Sequence, residues 1–291
     1  MSTRFHDENL IFLISQPRAG STLLQRILAR HPEVHTTTEP WLMLHPMYAL
    51  HARGHQAEYD AELAFQATQA FLDSLPDGQE HYVTALRRMA LYLYGSACRQ
   101  AGKPRFVDKT PRYFYIIPDL VRLFPLARFI ILLRNPLAVL ASYLDTWVKG
   151  HWILLARYHD DLLVAPQRLV DGIKLLGDSA IVVHYETLVT DATREVKNLC
   201  HRLDLEFDPD MLEYGKEPAP YGDMGDPTGI HKYTHPTPER LERWLDMGRQ
   251  NQTRHFAESY LQALGPDLLT GLGYSYTTLE AKLKAVRCAH T

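Results

Sequence analysis

The clearest indication of the fold is the stretch "LIFLISQPRAGSTLLQRILA", residues 10–29. Its first apolar run, residues 10–15, is typical of a buried strand, and the leucine spacing after Gly20 is typical of a helix. A glycine-containing turn between a strand and a helix points backbone N–H groups at one centre, where the helix dipole adds partial positive charge. The stretch therefore predicts a loop that holds a phosphate group beside Ser21 and Thr22.

The same loop lacks the parts that hold a nucleoside triphosphate. A triphosphate loop reads G-x-x-x-x-G-K-[ST], with the Lys on the phosphates and the hydroxyl on Mg²⁺. Here Gly20 precedes Ser21 directly, and the one cation in the loop is Arg18, upstream of the glycine. The loop is expected to hold a shorter anion chain, and a simple capping role for Ser21 remains the alternative.

Strands and helices alternate along the rest of the chain. Further apolar runs predict strands at 104–109, 127–134 and 179–189. Helical spacing predicts helices over 21–31, 57–75, 81–102, 110–125, 135–150, 160–176, 193–205 and 239–264. The alternation predicts an α/β fold with a central parallel sheet flanked by helices. Residues 1–291 are expected to form a single domain, with a helical insertion at about 41–101 and a flexible Gly/Pro/His-rich flap at about 215–238.

Net charge, the length of the apolar runs and the cysteine spacing argue against several classes of protein and partner. The chain has 291 residues and a formal net charge of -3, so no overall basic field favours nucleic acid. Its longest apolar runs have strand length and are too short to span a bilayer. The N-terminus lacks a signal-peptide pattern, and three widely spaced cysteines match no zinc site or disulfide framework. We therefore expect a cytoplasmic protein without a metal, a membrane segment or a nucleic-acid partner.

Several side chains able to bind anions follow predicted strand ends. Ligands of parallel sheets lie at the carboxyl ends of the strands. The residues at or just past those ends are Arg18, Lys109, Arg134 and Tyr185. We expect them to converge on one edge of the sheet.

A second anion site is predicted after the strand at 127–134. Arg134 lies at the strand end, and Ser142 lies about two helical turns further on. A guanidinium can hold a phosphate through two hydrogen bonds, and a serine hydroxyl can add a third. A surface arginine with a small packing residue is the alternative. A ligand with two separate phosphate groups accounts for both predicted sites.

Three segments resemble those of sulfotransferases that use 3′-phosphoadenosine 5′-phosphosulfate (PAPS). "QPRAGSTLL" (16–24) is similar to their 5′-phosphosulfate loop, and "LFPLARFIILLRNPLAVLASY" (123–143) is similar to their 3′-phosphate motif. "VVHYETLV" (182–189) resembles the strand whose Tyr lies near adenine. The resemblance runs over about residues 10–250 and is closer to tyrosylprotein and bacterial sulfotransferases than to cytosolic aryl sulfotransferases. It implies a P-loop NTPase-like sulfotransferase fold and metal-free, in-line transfer of a sulfuryl group from PAPS to a hydroxyl or amine.

The resemblance also implies a set of residues that bind the donor. They are Arg18, Ala19, Gly20, Ser21, Thr22, Leu23, Arg134, Ser142 and Tyr185, together with His231 and Lys232 in the flap. The flap departs from the Arg-Lys-Gly form of the cytosolic enzymes. The tryptophan that often stacks on adenine in those enzymes is absent, since Leu23 and Leu24 follow Thr22.

Candidate catalytic residues come from two more segments. Arg18 and Lys109, the latter in "FVDKTPRY", are expected to stabilise charge on the leaving phosphate oxygen. Glu39, in "VHTTTEPWLML" at the second predicted β-edge, resembles the base of tyrosylprotein sulfotransferases, and His45 is the alternative base. Structural alternatives are a Lys109 ion pair with Asp108 and a capping or ion-pair role for Glu39.

The acceptor is left open by the sequence. Aromatic residues that could line its pocket, or pack in the core, are Trp41, Tyr48, Tyr113, Tyr115, Trp147 and Trp152. A small molecule, carbohydrate, lipid or peptide would each suit such a pocket. Two other functions remain as alternatives, a P-loop kinase or NTPase and a non-catalytic nucleotide-binding module.

Overall fold

A computed structural model describes residues 5–216 and 234–286 of the chain. Within them, five parallel strands form one sheet in the order β2-β3-β1-β4-β5. The strands are β1 (Leu10–Ser15), β2 (Val34–Thr36), β3 (Arg105–Lys109), β4 (Arg128–Leu133) and β5 (Ala180–His184). The central parallel sheet is therefore confirmed, and its carboxyl edge collects the ends of β1, β3, β4 and β5.

The α-helices cover both faces of this sheet. They are α1 (Ser21–Ala29), α2 (Leu44–Tyr48), α3 (Ala61–Asp73), α4 (Gln79–Ala101), α5 (Ile117–Leu123), α6 (Pro136–Tyr143), α7 (Ala165–Leu176), α8 (Tyr185–Thr190), α9 (Ala192–Arg202), α10 (Asn251–Gly271) and α11 (Tyr276–Ala285). The longer 3-10 or π-helical segments between them are Pro111–Ile116, Leu144–Val148, Trp152–Tyr158, Asp160–Val164 and Arg243–Arg249. No helix in these described ranges is both long and apolar enough to cross a membrane.

Strand β1 is the centre of the core because every one of its residues is buried. Successive side chains of a strand point to opposite faces. Phe12 accordingly packs with Tyr113, Phe124 and Phe129 on one face, whereas Leu13 faces the layer formed by α1 and α9. The phosphate-loop candidate thus begins at the end of a strand that is buried along its whole length.

Most predicted elements are confirmed with small shifts of their ends. Asn135 caps α6 by accepting a hydrogen bond from the backbone N–H of Leu137 at 3.0 Å. Gly102 ends α4 in the left-handed conformation, at φ 67°, which is a common way for a helix to end. The region 41–101 contains α2, α3 and α4.

The predicted strand at 179–189 is wrong beyond His184. The chain turns into α8 at Tyr185, and this short helix buries Leu188 and Val189. Its Glu186 carboxylate accepts hydrogen bonds from the Asn135 backbone N–H at 2.9 Å and from the Tyr274 hydroxyl at 2.8 Å. These long-range partners outweigh the local β-propensity of the segment.

The single predicted helix at 239–264 is also wrong. A 3-10 segment, Arg243–Arg249, comes first, and α10 begins only at Asn251 after the extended Gln250. Trp244 and Met247 are buried in a cluster with α6 side chains, so tertiary packing sets the conformation of this segment. The sequence-based assignment also missed α11. Residues 217–233 of the predicted flap, with His231 and Lys232, lie outside the described residues.

Candidate functional site

The loop after β1 has the strand–turn–helix geometry that its sequence predicts. Gly20 precedes α1 in a left-handed conformation, at φ 100°, and no side chain caps the first turn of that helix within the described residues. Ser21 is therefore the first helical residue, which removes the interpretation that its hydroxyl caps α1. The first amide groups of α1 are directed toward the carboxyl edge of the sheet, where an anion could accept their hydrogen bonds.

Glycine is required at position 20 because the backbone has a positive φ, 100°, and because the Tyr185 ring leaves no room for a side chain. A Cβ at this position would overlap the ring of Tyr185. We expect Gly20→Ala to lower the free energy of unfolding by about 2–4 kcal/mol, since overpacking of about 1–3 kcal/mol adds to the left-handed strain.

Gly102→Ala is the matched control for this prediction. Gly102 also has a positive φ, 67°, but a Cβ added there would meet no other atom of the described residues within 4 Å. Its replacement should cost about 1 kcal/mol. Urea denaturation measures both variants, and equal losses would contradict the proposed contact between the loop and Tyr185.

Arg134 is a half-buried cation whose Nε is an unused hydrogen-bond donor among the described residues. Its Nη1 donates to the Arg18 carbonyl at 2.9 Å, and its guanidinium lies 4.2 Å from the centre of the Tyr185 ring. Its Nε is buried without a partner, and no Asp or Glu among the described residues forms an ion pair with it. Burial lowers the pKa of Arg134 below its ordinary value. An anion at this point would satisfy both the charge and the donor.

Arg18 joins the two predicted anion sites. Its Nε donates to the Ser142 hydroxyl at 3.1 Å, and its Nη2 donates to the Thr146 hydroxyl at 3.3 Å. The same guanidinium lies 5.4 Å from the Trp147 ring. The Arg18 side chain therefore contacts Ser142 of the predicted second anion site, while the Arg18 carbonyl accepts a hydrogen bond from Arg134. Sequence reasoning missed Thr146, although it follows Ser142 by four residues, the spacing of neighbours on a helix face.

Lys109 and Glu39 form a buried ion pair. Lys109 is fully buried, and its Nζ lies 2.9 Å from Glu39 Oε1, whose side chain is 13% exposed. The other carboxylate oxygen, Oε2, accepts a hydrogen bond from Trp41 Nε1 at 3.1 Å. The two candidates, 70 residues apart in sequence, are brought together. The alternative in which Glu39 forms an ion pair therefore holds, and its partner is Lys109, the other candidate catalytic residue.

The alternative pairing of Lys109 with Asp108 is not what the structure has. The Asp108 carboxylate is fully buried and accepts from the hydroxyls of Tyr94 at 2.6 Å, Thr110 at 2.7 Å and Tyr113 at 3.0 Å. Burial raises the pKa of Asp108 from 3.8 to about 6, although these hydrogen bonds and Lys109 act in the opposite direction. No pattern in the sequence pointed to this cluster.

The ionisation of Asp108 gives the protein a pH-dependent stability. Because the folded state binds the Asp108 proton more tightly than the unfolded chain does, the free energy of unfolding should fall as the pH rises from about 4 to about 7. A shift of about two pKa units corresponds to about 3 kcal/mol. Asp108→Asn lacks this titration. Urea denaturation of both proteins across this pH range should therefore show their difference moving by about 3 kcal/mol in favour of the variant, and a flat difference would refute the assignment.

A second ion pair lies beside the first. Arg112 Nε donates to Asp161 Oδ1 at 2.9 Å, and its guanidinium lies 5.6 Å from the Trp41 ring. Gln16, just before the loop, donates from its side chain to the Asp161 carbonyl at 2.9 Å. The pKa of Arg112 is raised, since Asp161 outweighs the effect of burial. Trp41 therefore lies between the Lys109–Glu39 pair and a second charged pair that sequence reasoning did not find.

The histidine alternative has less structural support than Glu39. His45 is exposed on α2, and His51 pairs with Asp119 at 3.2 Å. Neither has a hydrogen bond or ion pair with Glu39 or Lys109 in the described part of the chain. Of the aromatic candidates for an acceptor pocket, Tyr113 is a core residue, buried completely. Among residues 5–216 and 234–286, no three His, Cys, Asp or Glu side chains form a group suited to a metal.

A model of the sulfotransferase family matches residues 10–209. This range is more than half of the chain. It contains the loop after β1, the Lys109–Glu39 pair, and Arg134, Ser142 and Tyr185.

Curated relatives match over most of the chain. The nodulation protein NoeE of Sinorhizobium fredii is 30% identical over 301 residues, which cover 94% of this chain and 68% of that protein. A putative protein-tyrosine sulfotransferase of Caenorhabditis briggsae is 23% identical over 214 residues, covering 71% of this chain and 69% of the relative. These matches agree with the resemblance to bacterial and tyrosylprotein enzymes.

Solved structures share the fold at low sequence identity. The sulfotransferase domain from the curacin biosynthetic pathway has a TM-score of 0.58 at 19% identity, over 94% of this chain and 99% of that domain. Mouse sulfotransferase SULT7A1, solved in complex with PAP, has a TM-score of 0.50 at 13% identity, over 94% and 90% of the two chains. The central parallel sheet flanked by helices is therefore the fold that these enzymes share.

Proposed function

The chain belongs to the sulfotransferase family, and on that premise we propose that it moves a sulfuryl group from PAPS to a hydroxyl or amine of an acceptor. The observation that carries the choice of donor is the half-buried Arg134 guanidinium, whose buried Nε has no hydrogen-bond partner among the described residues. It lies against the phosphate loop, at the point where a second phosphate group would be held. A 3′-phosphorylated nucleotide would give this cation a second phosphate to bind, apart from the phosphate held by the loop.

The residues present fit this donor. The uncapped first turn of α1, with Ser21 and Thr22, would hold the 5′-phosphate end. Arg134 and Ser142 would hold the 3′-phosphate. Arg18, which the sequence assigned to the leaving phosphate oxygen, donates to Ser142 and Thr146, so its side chain would instead join the 3′-phosphate site. Tyr185, which packs on Gly20 and under Arg134, would lie beside the nucleoside. The complex of SULT7A1 with PAP supports the same ligand class.

The Lys109–Glu39 pair supplies the two charges that the chemistry needs. The donor provides a sulfuryl group already bonded to a phosphate oxygen, and transfer exchanges that S–O bond for a bond to the acceptor. The Lys109 ammonium would stabilise the negative charge left on the phosphate side. The Glu39 carboxylate would accept the proton that the acceptor hydroxyl loses. Both groups are shielded from water, which strengthens their electrostatic effects.

The acceptor would meet this pair beside Trp41 and the Arg112–Asp161 pair. These side chains offer one aromatic face and charged hydrogen-bonding groups. A small molecule, carbohydrate, lipid or peptide with an accessible hydroxyl or amine is the proposed class. A kinase or NTPase is not favoured, because the loop has no lysine before Ser21.

A thermal-shift comparison of nucleotides tests the proposal. 3′-Phosphoadenosine 5′-phosphate (PAP) should raise the melting temperature more than AMP, ADP or ATP at the same concentration, because only PAP can occupy both phosphate sites. A ligand at 100 times its Kd adds about 2.7 kcal/mol to the free energy of unfolding. Stabilisation by ATP with Mg²⁺ and none by PAP would overturn the proposal in favour of a kinase. PAP binding without release of PAP from PAPS, with any acceptor of a phenol, sugar and tyrosyl-peptide panel, would favour a non-catalytic module.

A further inference from the structure

The Asp108 carboxylate is a buried charge next to the proposed site that the proposed chemistry does not use. It is fully buried and accepts hydrogen bonds from three hydroxyl groups, those of Tyr94, Thr110 and Tyr113. An ionised carboxylate can only accept hydrogen bonds, so each of these hydroxyls must point its hydrogen at Asp108. The orientation of three hydroxyl groups is thereby fixed by one residue, which directly precedes Lys109 in β3.

Two of those hydroxyls pass this orientation on to another segment. With their hydrogens committed to Asp108, their oxygens are left to accept. Thr110 Oγ1 accepts from the Trp41 backbone N–H at 3.4 Å, and the Tyr113 oxygen accepts from the Met43 backbone N–H at 3.0 Å. Among the described residues, Tyr94 makes no hydrogen bond to residues 39–43. Asp108 is therefore connected to residues 39–43 through two hydrogen-bond relays. The hydrogen bond from the backbone of that segment is shorter in the Tyr113 relay, 3.0 Å, than in the Thr110 relay, 3.4 Å.

Residues 39–43 need such support because their backbone is strained. Trp41 has φ 54°, in the left-handed region that a bulky side chain rarely adopts. Pro40 restricts Glu39 to extended backbone conformations. A strained conformation persists only where its surroundings hold it in place. Trp41 also donates from its Nε1 to Glu39 Oε2 at 3.1 Å, so a shift of Trp41 would move the Glu39 carboxylate as well.

We propose that Asp108 is a positioning residue which, through Thr110 and Tyr113, clamps residues 39–43 and so holds the Glu39 carboxylate against Lys109. Asp108 does not touch the reacting groups in this arrangement. The proposal rests on the proposed function for the catalytic importance of Glu39, but the clamp itself is a statement about the folded chain alone.

Amide hydrogen exchange of the unliganded protein tests the clamp without any substrate. Tyr113→Phe removes the relay to Met43, and Thr110→Val removes the relay to Trp41 with little change of shape. Tyr94→Phe is the matched control, since it removes a donor to the same carboxylate but no link to residues 39–43. Exchange at Met43 or Trp41 should rise by about tenfold in the respective relay variant, and both amides should exchange at the wild-type rate in Tyr94→Phe. Unchanged exchange in both relay variants, or equal acceleration in the control, would overturn the clamp.

Turnover measurements then test the positioning role. The relay variants should release PAP from PAPS more slowly, by about tenfold in kcat, with the Kd for PAP unchanged, because the clamp acts on Glu39 and not on the donor site. On a Glu39→Gln background the same substitutions should have little further effect, since residues that act as a unit are not additive. A full further loss on that background would overturn the role. If the wild-type protein shows no transfer at all, the proposed function fails, whereas the exchange result still decides the clamp.

Discussion

Replacement of Glu39 by glutamine is expected to lower the rate of sulfuryl transfer by about 100-fold or more, the usual contribution of a general base. Glutamine keeps the size of the side chain and can still accept the hydrogen bond from Trp41 Nε1. It cannot take up the acceptor proton. The measurement is the initial rate of PAP release from PAPS with an active acceptor, together with the Kd for PAP, which should not change because Glu39 is not placed among the phosphate-binding groups.

The same substitution also breaks a buried ion pair, and its effect on stability must be separated from its effect on transfer. Lys109 is fully buried, so loss of its partner is expected to cost about 3–5 kcal/mol. The Asp7–Arg87 pair offers a matched control away from the site, with Asp7 only 4% exposed and 2.7 Å from Arg87. Asp7→Asn should also destabilise the fold, though less, because Arg87 is 37% exposed, and should leave the transfer rate of the folded protein unchanged.

A double variant completes the separation. Lys109→Met combined with Glu39→Leu replaces both charges by apolar side chains, which often restores the stability lost when one partner is removed. This variant should fold nearly as well as the wild type, bind PAP and fail to transfer. Transfer at the wild-type rate in the double variant, or in Glu39→Gln, would show that the pair serves the fold alone.

The parts of the site that follow from local pattern could be predicted from the sequence. The apolar run of β1 and the glycine before Ser21 predict the loop, because a strand period and a left-handed turn are properties of neighbouring residues. The eight-residue spacing of Arg134 and Ser142 likewise follows from a strand end and a helix. Glu39 and Lys109 are each indicated only by the resemblance, and their pairing is not predicted, because nothing local relates residues 70 apart.

The rest of the site depends on partners that only the fold brings together. Arg18 lies against Ser142 and Thr146 because α6 packs beside the loop, and Asp161 meets Arg112 through a separate segment. The end of β5 at His184 has the same cause, since Glu186 is held by Asn135 and Tyr274. Charged and polar side chains choose partners by tertiary geometry, which hydrophobic periodicity does not record.

Arg134 is expected to decide the preference for a 3′-phosphate. Arg134→Ala should weaken PAP binding by about 1.5–3 kcal/mol, the range for hydrogen bonds to a charged group, which is about 10- to 150-fold in Kd. AMP, which has no 3′-phosphate, should bind with nearly unchanged affinity. The physical reason is that Arg134 Nε is buried without a hydrogen-bond partner among the described residues, and a 3′-phosphate would accept its hydrogen bond.

Two further variants test whether the effect depends on the guanidinium group of Arg134 and on its position in the fold. Arg134→Lys keeps the charge but loses the planar fork and the stacking on Tyr185, so it should recover only part of the PAP affinity. Arg105 also donates to backbone carbonyls, those of Leu203 and Asp204, but from the start of β3 at the opposite edge of the sheet. Arg105→Ala should leave the ratio of PAP to AMP affinity unchanged in calorimetric titrations. Equal weakening of PAP and AMP in Arg134→Ala would mean that Arg134 supports the loop instead of reading the 3′-phosphate, and the second anion site would then have to be sought among other residues.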